Sequence, residues 1–220
     1  MKKIILILAF FSTSTLLLAQ NIDFFFTYIP DSYLPQLSTY QRQDLINKMK
    51  QGSIDSTTTT NYGGTAKLLV FDPVRQFMKI QTSEQGFVEI KKWTLPDSSA
   101  IFSISSWVCS PACDGRILFL KEDYTEAPME NFFPKIGITD FFDRVKLRSD
   151  SISDEDVKRW TDILFLHFEY NPSGDYLAAI YDYRAFLNRD DYAKLEPYMP
   201  HMTGTYIQLV WKNGRFLFSI

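Results

Sequence analysis

The hydrophobic pattern changes period along the chain. Between Thr39 and Gln51, Leu45, Ile46 and Met49 recur at three- and four-residue spacing. Ser38 or Thr39 stands ready as a cap and Gly52 as a stop, so this stretch predicts a helix. Asp31 to Leu37 reads as a short helical turn before it. Asn21 to Tyr28 reads as an extended segment packed across a sheet, and the Thr-rich run Ser56 to Gly64 as a connecting loop. The pattern then alternates. Phe77, Lys79 and Gln81 oppose Met78 and Ile80; Phe87, Glu89, Lys91 and Trp93 share one side against Val88, Ile90 and Lys92. Together with Lys67 to Phe71, Ala100 to Cys109 and Arg116 to Lys121, these segments predict short strands. The turns between them are tight, which predicts antiparallel hairpins.

The second half mixes the two periods. Ser153 caps an expected helix through Trp160, with Asp154 and Glu155 in its first turn, where the helix dipole favours acids. Ile163 to Tyr170 and Tyr176 to Tyr181 are expected strands about the turn Asn171-Pro172-Ser173-Gly174. Asn188 is placed to cap Asp190 to Tyr198. Tyr206 to Trp211 and Arg215 to Phe218 flank Asn213-Gly214, the pair that best accepts the positive φ angles of a type I′ hairpin. The expected fold class is α+β: antiparallel sheet with a few short helices. The patternless stretch Glu122 to Phe132 suggests two α+β halves, residues 20–125 and 126–220. One reading makes them similar units; the other is one continuous domain.

Composition adds a location. Residues 1–19 start with Lys2 and Lys3, continue through the apolar stretches Ile4–Phe11 and Leu16–Leu18, and end on Ala19. This is the layout of a secretory signal peptide, with cleavage expected before Gln20. No Cys follows the apolar stretch, so a lipoprotein anchor is not expected. No second long apolar run predicts a transmembrane anchor in the mature chain. The expected site of action is the periplasm or the extracellular space. A formal charge of −3 gives no global attraction to nucleic acid. An aromatic share of 16% is ample for a core.

Cys109 and Cys113 enclose Ser110-Pro111-Ala112. In an exported chain an even pair suggests a disulfide, here one that pins a turn; two free thiols are the alternative. A metal role lacks further ligands at zinc-motif spacing, since His167 and His201 are remote.

Three segments carry a resemblance. They are Tyr28-Ile29-Pro30-Asp31-Ser32-Tyr33-Leu34-Pro35-Gln36-Leu37, then Val108-Cys109-Ser110-Pro111-Ala112-Cys113-Asp114-Gly115-Arg116-Ile117, and the closing Tyr206–Phe218 hairpin. In this order, after a leader ending in Ala-Gln, they resemble an uncharacterised family of exported Bacteroidetes proteins. The resemblance spans nearly the whole mature chain. It implies an α+β fold and a place in a Gram-negative envelope, and carries no activity over.

Catalytic patterns are sparse. No Gly-x-Ser-x-Gly elbow or phosphate loop occurs, and no cofactor is expected. His167 and Glu169 share a strand face with Ile163 and Phe165, so a carboxylate-oriented base is conceivable; a polar pair at the wetter end of a sheet explains them as well. His201 reads as a loop residue after a helix end. The aromatic surplus at Phe24, Phe25, Phe26, Tyr28, Phe132 and Phe133 is a candidate interaction patch. The expectation is therefore an envelope protein that binds another protein or a surface polymer. The alternatives are a periplasmic hydrolase acting near His167 and Glu169, or an inhibitor-like module of two α+β units.

Overall fold

The alternating segments of the first half close into a seven-stranded antiparallel meander in the computed structural model, which describes residues 20–53, 56–159, 164–185 and 187–219. Residues 1–19, Trp160 and Ile163 lie outside the described residues. The strands follow in chain order: β1 (Thr57–Thr59), β2 (Thr65–Asp72), β3 (Phe77–Gln81), β4 (Gly86–Thr94), β5 (Ala100–Cys109), β6 (Cys113–Lys121) and β7 (Glu126–Ala127). Each is joined to the next by a short turn, so local order alone sets the topology. A bulge between Leu68 and Val70 turns β2 over, so that Val70 pairs with Lys79 and changes face.

One face of this sheet is covered by α1 (Ile22–Tyr28) and α2 (Thr39–Lys50). Asn21 to Tyr28 is thus helical, not extended. Ile22, Phe25 and Phe26 are fully buried, and Phe25 stacks on Phe102 at 3.7 Å. Burying each such phenyl ring contributes roughly 1.5–3 kcal/mol. Ser38 caps α2 in a capping box with Gln41. Asp31 to Leu37 forms turns rather than a helix, and Arg42 ties them down. Its guanidinium is fully buried and donates to the carbonyls of Thr27, Leu37 and Ile29 at 3.2, 2.6 and 2.7 Å. Asp31 meets it at 3.0 Å. The loop expected at Ser56 to Gly64 contains β1, an edge strand whose Thr residues suit a pleated surface.

The opposite face meets a second, four-stranded antiparallel sheet in the order β11-β10-β9-β8. Its members are β8 (Leu166–Tyr170), β9 (Tyr176–Tyr181), β10 (Tyr206–Lys212) and β11 (Arg215–Phe218). Asn213 and Gly214 both take positive φ, as the type I′ turn requires. Phe77, Trp93, Ile101 and Phe119 of the first sheet pack against Phe168, Leu177, Leu209 and Phe216 of the second. The layers are therefore helices, seven strands, four strands. Helices α3 (Arg144–Ser149) and α4 (Asp154–Lys158) lie between β7 and β8 in chain order, and α5 (Arg189–Leu195) follows β9. These short helices bury Leu147, Val157 and Leu195 in a third core with Phe141 and Tyr181. Among the described residues no helix is long and apolar enough to cross a membrane.

Candidate functional site

Side chains with acid–base chemistry converge where β8 crosses the first sheet. Lys79 on β3 stands directly opposite Glu89 on β4, and Glu89 opposite Ser105 on β5. One step along, Trp107 stands opposite Gly115 on β6. A Cβ at Gly115 would approach that of Trp107 to 2.7 Å, so only glycine accommodates this packing. The second sheet brings His167 and Glu169 from the outward-facing positions of β8. Trp107 lies 5.9 Å from the His167 ring, and Lys79 Nζ sits 5.0 Å over the Trp107 ring.

The cluster is internally matched. Glu89, 1% exposed, accepts from Lys79 Nζ at 2.9 Å and from the backbone N–H of Tyr170 at 2.7 Å. Burial pushes its carboxyl up to about 7, against the opposing pull of Lys79 and the Tyr170 N–H. Glu169 takes Lys79 at 3.5 Å and His167 Nε2 at 3.4 Å, and the hydrogen bond from His167 holds its carboxyl below the usual range. Ser105 donates to the carbonyl of Phe168 at 2.6 Å. A carboxyl titrating near neutrality suits general acid–base work, but both oxygens of Glu89 are already held inside the protein. His167 is buried, with one ring nitrogen toward Glu169 and the other unpartnered. What this arrangement does chemically is fasten a strand edge. The outward-pointing backbone groups of β8, the carbonyl of Phe168 and the N–H of Tyr170, are met by side chains instead of by another strand.

The remaining candidates separate. Cys109 and Cys113 are joined as a disulfide across the end of the β5–β6 hairpin. Phe25, Phe26 and Phe133 are buried in the cores, and Phe132 stacks on Phe119 at 5.0 Å, so these four do not form an exposed patch. Nearness in sequence does not put them on one face: helix α1 turns Phe25 and Phe26 to the sheet and Phe24 away from it. Only Phe24 and Tyr28 remain half-exposed, one helical turn apart and 4.6 Å between rings. His201 is buried and bonds Asp150 at 2.7 Å. Among the described residues no three His, Cys, Asp or Glu side chains converge to hold a metal. Lys79 and Glu89 escaped sequence reasoning, although their signal was present: charges alternating with Phe77, Phe87 and Trp93 on one strand face.

A further surface stands apart from these contacts. The second sheet turns Tyr176, Ala178, Ile180, Tyr206, Val210 and Leu217 away from the first. Their cross-strand register places them side by side: Ile180 beside Tyr206, and Val210 between Tyr176 and Leu217. None of the six belongs to an apolar core of the described residues. Tyr206 is 62% exposed.

A helix-covered antiparallel meander backed by a second antiparallel sheet defines an α+β protein of two stacked sheets. The chain belongs to the family described as Protein of unknown function (DUF3256), whose model matches residues 14–216. A solved domain of an uncharacterized protein from Porphyromonas gingivalis W83 has a similar fold, with a TM-score of 0.74 at 21% identity. That match covers 92% of this chain and 99% of the other. No curated protein matches the sequence.

Proposed function

We propose that this is an exported envelope protein that acts by binding another protein rather than by catalysis. The observation that carries the reading is the outward face of the second sheet. Tyr, Ile, Val and Leu side chains lie there in register outside the cores, around Gln208, and exposed surface this rich in apolar groups marks interaction sites. Tyrosine suits such a surface because it combines apolar area with a polar tip at low entropic cost. Export rests on the basic, apolar, small-residue layout of residues 1–19.

Two measurements test it. Crosslinking in the intact cell, followed by purification from the envelope fraction, should capture one specific protein. Tyr206→Glu and Val210→Glu, which touch no core, should abolish that capture while thermal unfolding is unchanged. Capture that survives both changes, or retention of a polysaccharide in place of a protein, counts against this surface. Detection of Met1 on a cytosolic product counts against export.

A further inference from the structure

We propose that two copies of this chain pair antiparallel along β6, about a two-fold axis at Gly115, to make one continuous sheet. The argument begins with which backbone groups the strands leave unpaired. Alternate residues of an edge strand point their N–H and C=O away from the sheet. On β1 the outward groups are those of Thr57 and Thr59, and their carbonyls accept from Lys48 Nζ at 2.8 Å and Gln41 Nε2 at 2.6 Å. On β8 they are those of Phe168 and Tyr170, met by Ser105 and Glu89. On β11, Phe216 donates its N–H to the carbonyl of Phe132 at 2.7 Å. Three edges of the two sheets are thus engaged from within the chain.

The β6 edge is treated differently. The Cys109 N–H bonds Gln85 on the β4 side, so the odd residues of β5 face β4 and its even residues face β6. The register Val108–Asp114 and Ser106–Arg116 then gives the even residues of β6 to β5. Cys113, Gly115 and Ile117 point their backbone groups outward. The partner on that side, β7, begins only at Phe119, with two residues of pairing. Cys113 to Ile117 is therefore an unpaired strand edge, with no hydrogen bond on its outer side among the described residues, while the Ile117 side chain turns into the core between the sheets.

The side chains name the occupant. Asp114 and Arg116 are exposed, lie on the same face of β6, and form no ion pair among the described residues. Set a second β6 antiparallel with Gly115 opposite Gly115. Asp114 of each copy then stands directly opposite Arg116 of the other. Opposite charges in that position attract, and an antiparallel two-fold makes both pairs at once. Cys113 of each copy falls opposite Ile117 of the other. In all three pairings of odd residues the groups that face each other are the unpaired N–H and C=O. Glycine at the axis brings no side chain to the crossing. The edge is thus self-complementary in hydrogen bonding and in charge.

Sedimentation equilibrium on the protein as purified from cells, over micromolar to millimolar concentration, should give a monomer–dimer equilibrium. Arg116→Asp sets acid against acid, and Asp114→Arg sets base against base. Each alone should weaken dimerisation at least about tenfold, from two cross-strand pairs turned repulsive. Mixing the two variants should restore it, because each then meets its complement. Circular dichroism of both variants, and their thermal unfolding at concentrations low enough to keep all three proteins monomeric, should match the wild type, as exposed charges without partners predict. A wild type that stays monomeric throughout overturns the proposal. So does a dimer indifferent to both reversals, or a mixture no tighter than either variant alone. Failure here leaves the proposed binding face of the second sheet untouched, because Tyr206 and Val210 lie on the other sheet.

Discussion

The two ends of the seam between the sheets are built from opposite chemistry. At one end Trp93 stacks on Trp211 at 4.8 Å and meets Phe216 edge-on at 5.0 Å, with Phe119 and Phe133 behind. At the other, Lys79, Glu89, Glu169 and His167 share charges and protons beneath Trp107. Buried Lys91 lies between them, donating to the carbonyl of Gly174 at 3.0 Å, and burial lowers its pKa. The apolar end gains mainly from buried area, which is non-directional. The polar end is selective. Ser105 and Glu89 reach only the outward-pointing groups of Phe168 and Tyr170, so a one-residue slip of β8 would present groups already bonded to β9. The aromatic end holds the sheets together, and the charged end sets how they meet.

The sharpest break of this contrast is Trp93→Ala. The ring is buried, stacks on Trp211, meets Phe216 edge-on and donates Nε1–H to Ser103 at 2.6 Å. Truncation should lower unfolding stability by about 3–5 kcal/mol in a denaturant titration. A loss under 1 kcal/mol would mean that the aromatic end does not hold the sheets.

The charged end should betray itself through pH. In the folded protein the Glu89 carboxyl is raised to about 7, above its ordinary 4.5. The folded state therefore binds this proton more tightly than the unfolded state does. The stability linked to it is fully present below about pH 4.5 and lost as pH rises to about 7. The loss across that window is on the order of 3 kcal/mol. Glu89→Gln keeps an acceptor for the Tyr170 N–H but no longer titrates, so its stability should stay flatter between pH 5 and 8. Parallel pH profiles of wild type and variant would show that the Glu89 site is wrongly described.

Much of this architecture was legible in advance, for reasons that differ by element. The strands of the meander and the Asn213–Gly214 hairpin show in period and turn chemistry, because both are local. Helix α1 does not show. Ile-Asp-Phe-Phe-Phe-Thr-Tyr is short and rich in aromatic and β-branched residues of modest helix propensity. Its packing on Phe102 decides its form. Helix α3 buries only Leu147, too little to set up a period. The same limit applies to the site. His167 and Glu169 were visible as neighbours two apart on a strand. Their meeting with Lys79 and Glu89 spans more than seventy residues, and no local pattern encodes it.

Ser105→Ala tests the edge cap alone. It leaves the Phe168 carbonyl buried without its donor and should cost about 1–3 kcal/mol, the penalty of an unsatisfied buried acceptor. The ion pairs beside it would be unchanged. If the loss equals that of Trp93→Ala, the two ends are not distinct in kind.

The smallest effect should come from His167→Ala, and its dependence on pH makes it informative. The imidazole touches the cluster through one contact, 3.4 Å to Glu169, whose carboxylate keeps Lys79 at 3.5 Å as a second partner. Losing it should cost about 1 kcal/mol near neutrality. Glu169 is partly open to solvent, so the ion pair itself adds little. The sign follows from the carboxyl, which His167 holds below its ordinary range. A depressed carboxyl adds stability that is present above its unfolded pKa and fades as pH falls through its folded one. The wild type should therefore exceed the variant at pH 6, and the gap should close in acid as Glu169 takes up its proton. A constant gap at every pH would assign His167 to packing against Trp107 alone. Loss of an ester, amide or glycoside hydrolysis in the variant, with the fold intact, would make the charged end a catalytic site and remove the contrast altogether.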